Sequence, residues 1–575
     1  MKAVVSGLVA VCVAALVGLL AGNHGLNAPF SAVALALGAL AGAGAWHSLK
    51  GLPGGKPFRG WAAWGMGIAF ALFAARAFCW LMFNNEENVS FLSPNNLGDL
   101  SLHLTYINYF ANGAPLWPAN PIFSSAALHY PLGVDLFNAL LVSTGLDLQR
   151  GLVWTGLLAA LATAVALWRW CGAFALAAFL FNGGLAVLLA LPHPNMDAVQ
   201  EHLDWKSIPL ALFVTQRGLL YAIPAGLALL WSWRERFFRA SRGLPFWIEV
   251  LIYATMPLFH LHTFLFLSAM LGAWMLVPAA AGRPAPRREI LKLVAVALLP
   301  ATWLVFKVTG FGQSGGAVHL SAGWIGKDLS LLDATMQNFG VLPFLLAGTL
   351  GWLWLRRKEP EMLEYAAFML PALAVFAIAC YVIFAPWEWD NTKLTIWCYF
   401  AILPALDGLL EKQGSVALRT VACVALFASG ALTLASGLGG KHQGYALANR
   451  AELDSLRPEL KRIPVTATFA CLPTYNHPLL VLGHKAVAGY EGHLFSHGIA
   501  YRPRFDALER LLRAEPGWAT RARQLGADYL FWGPREREKY GTGNGDPWRD
   551  RLPVAASGSW GVIYDLRGAV ESESE

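Results

Sequence analysis

The sequence predicts a polytopic α-helical membrane protein of about 13 spans, with its N-terminus inside, its C-terminus outside and a small C-terminal periplasmic α/β domain. Three observations carry that expectation. Of 575 residues, 56% are hydrophobic and only 14% are charged, where soluble domains carry about 25%. Of the 79 charged side chains, 34 lie in the last 136 residues, so lipid is the expected solvent for the body and water for the tail. Lys and Arg also alternate in density from loop to loop, as the retention of basic loops inside demands. This composition excludes a disordered chain and a conventional cytosolic enzyme. The net charge of +7 needs no nucleic acid, because membrane-flanking bases account for it.

Crossing about 30 Å of hydrocarbon takes about 20 apolar residues. On that basis spans are expected near 3–22, 29–46, 61–82, 152–168, 172–191, 218–233, 246–259, 263–280, 290–308, 337–355, 365–384, 394–411 and 416–438. The first carries Lys2 but no small-residue cleavage site, and reads as an uncleaved signal anchor. The run 246–280 is divided at His260 and His262. With the N-terminus inside, the inner segments hold 18 basic residues and the outer loops and span ends six, while Arg76 alone lies within a span, to snorkel or pair with Glu86 or Glu87. Residues 1–60 then form a two-span hairpin, 61–439 a transmembrane core and 440–575 the outer domain.

The outer loop 83–150 has 68 residues and no Lys or Arg before Arg150. Loops of that length are uncommon unless functional. Within it, 100–111 is expected as an amphipathic helix lying at the interface, and 134–143 as a second helix. In the tail, 465–471, 479–482, 529–532 and 562–564 read as strands, 504–513 and 518–525 as helices, and 535–539 as a solvated helix face. The tail holds no GxGxxG or Walker pattern, which argues against a nucleotide site there. Of seven Cys, only Cys471 lies in the tail, and it reads as a small buried hydrophobe.

The candidates for chemistry collect on the outer rim. Asp99 and His103 are four residues apart and share a face of any helix starting there. Asp99 is either an N-cap or a base able to take a proton from an acceptor hydroxyl. The loop 193–206 is dense in His and carboxylates, yet it has no recognised metal spacing and reads as solvated charge. Arg217 enters a span from outside, where it either snorkels or pairs with a lipid phosphate through its planar fork. The loop 387–393 packs Trp387, Glu388, Trp389, Asp390, Asn391 and Lys393 between two spans, and a Lys entering the membrane unpaired is costly. His260 and His262 sit at an outer turn, as structural residues or cavity lining. His493, His497 and Arg502 cluster in the tail, either over a site or in a loop stitched to the membrane body.

A span, then a long outer loop opening with Gly98-Asp99 and a downstream His103, resembles the GT-C superfamily of glycosyltransferases, as do Trp117-Pro118 and Tyr130-Pro131 further along that loop. The resemblance covers roughly 61–440. It implies an inverting transfer of a sugar from a polyprenyl-phosphate donor to a lipid, glycan or protein acceptor, on the periplasmic face of a bacterial inner membrane. It implies Asp99 as the catalytic carboxylate with His103 beside it, Arg217 and Lys393 on the donor phosphate, and Tyr130, Asp197, Asp390, Asn391, His260 and His262 around the cavity. The lone acid, where many members have a pair, leaves a divalent metal open and no cofactor certain. Two spans before the usual first one suggest an added N-terminal hairpin. The rival readings are a transporter or flippase of a lipid-linked or polar substrate, and a non-catalytic envelope assembly protein.

Overall fold

The structure, a computed structural model, describes residues 1–55, 57–93, 96–186, 203–277, 285–310, 318–327, 329–439, 444–541 and 545–569. Among these, eight helices are long and apolar enough to cross a membrane: Lys2–His24, Ala28–Ser48, Trp61–Cys79, Leu148–Cys171, Arg287–Thr309, Pro360–Ala379, Glu388–Gln413 and Val416–Leu438. The chain is therefore mostly helical, with the makeup of a polytopic membrane protein. Large apolar side chains on these helices face outward, among them Trp61, Leu72, Leu158 and Leu299. Water would penalise that arrangement and hydrocarbon does not. Helix Glu388–Gln413 is the exception, being buried over most of its length at the centre of the bundle.

Several of the 13 expected spans take other forms. The run 172–191 yields only the eight-residue helix Ala173–Leu180 within the described residues. The run 246–280 yields helices Phe246–Phe259 and Leu261–Trp274, of 14 residues each, about 21 Å long and short of a bilayer. They meet at His260, whose backbone is extended and whose Nδ1 accepts from the Thr263 amide at 3.2 Å. The run 337–355 becomes part of two helices, Leu331–Phe339 and Leu342–Leu355, bent by 89° about Gly340 at φ +57°. Apolar runs report burial, and protein can supply it as well as lipid. Arg217–Trp233 shows this, since nearly every one of its residues is buried.

Two further expectations are corrected. Helix Asn96–Ala111 is buried without a break from Leu100 to Phe110, so it is a core helix under the tail rather than one floating at an interface. Arg76 donates from Nε to the Leu438 carbonyl at 3.1 Å and lies over Trp80, so it does not seek Glu86 or Glu87. The bases Arg234, Arg236 and Arg239 are paired: Arg239 reaches Glu364 at 2.9 Å, Arg236 reaches Glu289 at 2.9 Å, and Arg234 also holds Glu364.

The tail folds on a five-stranded mixed sheet in the order Lys485–Ala486, Thr468–Ala470, Tyr529–Trp532, Gly561–Asp565, Val554–Gly558. Its helices include Arg502–Leu512 and Trp518–Leu525. The segment 479–482 is not a strand, because Pro478 at a first-turn position and His477 as N-cap start the short helix Pro478–Val481. Helix Pro534–Tyr540 is not wholly solvated either, because Glu536 turns inward.

Strand pairing stitches this tail to the long outer loop. The hairpin Met82–Asn84 and Asn88–Phe91 gains a third antiparallel strand, Tyr445–Asn449, directly after the last long apolar helix. Ala486 and Gly489 amides donate to the carbonyls of Pro121 and Ile122, both at 2.8 Å. Asn108 and Asn112 donate to the carbonyls of Val481 and Leu482 at 2.7 and 2.8 Å. Hydrogen bonds of this kind, from backbone amides and from the Asn108 and Asn112 side chains, fix position as well as proximity, so the loop and the tail form one surface.

Candidate active site

Helix Asn96–Ala111 places Asp99 in its first turn, where the partial positive charge of the helix end favours a carboxylate. Gln216, the residue preceding helix Arg217–Trp233, donates from Nε2 to Asp99 Oδ2 at 3.1 Å. A cavity of about 460 Å³ opens here. Asp99, Tyr130, Gln216, Asp390 and Lys393 line it below, and His493 and His497 line it from the tail.

Burial lifts the Asp99 carboxyl above the usual carboxylate range; the charges of His103 and Lys393 and the Gln216 bond oppose that rise, while Asp390 adds to it. Lys393 and Asp390 form an ion pair at 3.0 Å, each with under a fifth of its side chain exposed. Lys206 joins the lining and lies over the Trp389 ring at 5.3 Å. The Tyr130 ring stands 5.9 Å from His103, 5.2 Å from Tyr106 and 5.3 Å from His497. Burial, then the neighbouring Asp135, holds the Tyr130 phenol well above its ordinary range, so it stays a hydrogen-bond donor. Burial lowers His493 to about 4 and His497 to about 3, which makes both neutral imidazoles near pH 7.

The structure therefore brings Asp99, Tyr130, Asp390 and Lys393 together, and it moves others away. His103 does not pair with Asp99 along the helix; its Nδ1 bonds Asp135 Oδ2 at 2.8 Å, both side chains being buried. Arg217 is wholly buried behind the cavity wall, its guanidinium without a hydrogen-bond partner among the described residues, and it feels the charge of Asp135. It is not a lining residue, so the expected contact with a donor phosphate has no direct path here. Asn391 is structural: its Oδ1 accepts from the Phe384 amide at 2.9 Å, and its Nδ2 donates to the Ala379 and Val382 carbonyls, both at 2.8 Å. His260 caps a helix and His262 is half-buried beside it, 5.8 Å between rings, with neither on the cavity wall. Asp197 and most of the loop 193–206 lie outside the described residues.

Gln216, Lys206 and Asp135 belong to the site or its support, and local sequence gave no reason to select them. Gln216 stood next to the more conspicuous Arg217, and Asp135 is 32 residues from its partner His103. Among the described residues, no group of three or more His, Cys, Asp or Glu side chains is arranged to hold a metal ion.

The arrangement offers a carboxylate with raised proton affinity, two ammonium groups and neutral imidazoles around one volume. Such a set suits removing a proton from a hydroxyl while an anion is held nearby. Compared with known proteins, the sequence matches no family model and no curated sequence.

Proposed function

We propose that the protein is a GT-C-like membrane glycosyltransferase that uses a polyprenyl-phosphate sugar on the periplasmic side of a bacterial inner membrane. In this reading about 13 membrane segments, some of them half-helices, put the N-terminus inside and the tail outside. The observation that carries it is the Asp99 carboxylate facing Lys393 and Lys206 across one cavity at the membrane-proximal end of the outer loop. Asp99 takes the proton of the acceptor hydroxyl, and the acceptor oxygen attacks the anomeric carbon. The bond from that carbon to the phosphate oxygen breaks with inversion, and the phosphate leaves with the electron pair. Lys393, shared with Asp390, and Lys206 stabilise the charge that develops on it. Asp135 orients His103, which sits within electrostatic reach of Asp99.

The test is transfer from labelled polyprenyl-phosphate sugars by the purified, reconstituted full chain. Asp99→Asn retains an acceptor for Gln216 while losing the base, and is expected to lower transfer by about 10²- to 10⁴-fold. No transfer by the native chain across a range of donors would sink the proposal. Movement of a lipid-linked substrate across the bilayer by Asp99→Asn at the native rate would favour a flippase instead.

A further inference from the structure

A second cavity, of about 540 Å³, opens where the helices Lys2–His24, Ala28–Ser48 and Leu148–Cys171 end together, remote from Asp99. Helix Leu148–Cys171 links the two ends of the bundle. Asp147 caps it on the side of the outer loop and Arg169 stands in its last turn, about 33 Å away at the helical rise. The second cavity thus lies roughly a bilayer's thickness from the end of that helix that Asp147 caps.

Their charges differ in kind. The Asp99 cavity carries both signs. The second is lined by Lys2, Lys50 and Arg169, and no acidic residue appears among its described lining. Glu235, the carboxylate that acts on Arg169, is itself held by Arg239 at 3.2 Å. Lys2 lies 4.1 Å over the Trp46 ring and Arg169 4.7 Å over Trp231, contacts that place each cation without neutralising it. Arg169 donates from Nη2 to the Pro53 carbonyl at 2.6 Å, while its buried Nε has no partner among the described residues. The loop is cut close to these groups. A Cβ at Gly51 would stand 2.8 Å from Arg242 Nη1, and one at Gly55 2.8 Å from Arg169 Nη1. Retention of basic loops on one side explains a surplus of bases here. It does not require three of them to converge on one concave volume without an acid.

We propose that this cavity binds a phosphate-bearing anion, and that the headgroup of an anionic membrane lipid is the source its position favours, since it opens at the ends of three membrane-type helices. The inference is independent of glycosyl transfer. It would stand if that activity failed, and its readout is binding alone.

The experiment is native mass spectrometry of the full chain released from detergent with added dioleoylphosphatidylglycerol, dioleoylphosphatidylcholine or inorganic phosphate. The expected result is saturable retention of phosphatidylglycerol over phosphatidylcholine. Lys2→Gln and Lys50→Gln should each weaken it by about fivefold, the factor matching ~1 kcal/mol for each basic residue beside an anionic lipid. Both side chains are at least partly exposed and neither holds a hydrogen bond among the described residues, so the variants should remain folded. Lys412→Gln, a base outside the cavity, should leave retention unchanged. Competition by millimolar inorganic phosphate would support the site with a soluble anion as its ligand. Equal retention of the two lipids, or equal weakening by Lys412→Gln, would overturn the proposal in favour of diffuse surface charge.

Discussion

At Asp99 a single side chain is under opposing influences. Burial disfavours its charge, while Lys393, His103 and the Gln216 bond favour it, and burial prevails. A base must lose its proton to act, so transfer should rise with pH on a limb centred above the ordinary Asp value of about 3.9. Lys393→Gln removes a favourable charge and should move that limb further toward neutral pH. A pH–rate profile of the native chain and of Lys393→Gln checks this, and a limb unmoved by the substitution would deny Lys393 its electrostatic role. The residue scale also shows what sequence can tell. Asp99 and Lys393 were legible because charge is scarce where lipid and water meet. Gln216 was not, because it is neutral and only the fold carries it to Asp99, 117 residues away in sequence.

Asn391 joins the end of helix Pro360–Ala379 to the start of helix Thr392–Gln413 through three hydrogen bonds to backbone groups. Asn391→Ala leaves those groups without their partner in a buried place, and should lower stability by about 1–3 kcal/mol, read as a lower melting temperature of the purified chain. In the tail, Glu536 links three segments. It accepts from the Leu472 amide at 2.9 Å, the Gly533 amide at 3.0 Å and His477 Nε2 at 2.9 Å. Burial opposes the charge on His477, but Cys471 and Glu536 overcome it and hold the imidazole up to about 10. Glu536→Gln breaks a buried pair and should cost about 3–5 kcal/mol, seen as early loss of tail structure in hydrogen exchange. Long spans and the paired β-runs 529–532 and 562–564 could be read from apolarity and alternation. The break at His260 was legible too, but not that each helix beside it has only 14 residues, because a hydropathy run does not show where its second half ends.

The whole molecule responds to pH through histidines with opposite signs. His493 and His497 are depressed to about 4 and about 3, against about 6.5 when unfolded. Between those values the unfolded chain binds more protons, so their contribution is intact above about 6.5 and is lost as pH falls toward 4. His477 works the other way, its folded value of about 10 lying above the unfolded one. Its contribution is complete below about 6.5 and disappears as pH rises through 10. Thermal unfolding should therefore show greatest stability near neutrality. His497→Gln should flatten the acid side and leave the alkaline side alone; an unchanged acid side would remove the histidine explanation. Sidedness is a property of the same scale. Ser557→Cys on the tail is expected to react with a membrane-impermeant maleimide from the periplasmic side, and Lys412→Cys only from the other. The division into an apolar body and a polar tail was legible from composition. The joining of the tail to loop 83–150 was not, because it rests largely on backbone pairing, which leaves no mark on residue type, and on Asn108 and Asn112, whose partners lie some 370 residues away.

That joining sets an order on biosynthesis. Strand Asn88–Phe91 is made early, yet one edge stays unpaired until Tyr445–Asn449 has been made and carried to the same side. The ceiling supplied by residues 490–497 arrives later still. A nascent chain that already holds every long apolar helix thus has an open floor with no enclosed reaction volume. Under the proposed function, completing the tail is the step that encloses the site, which keeps a half-made copy from spending a lipid-linked donor on water.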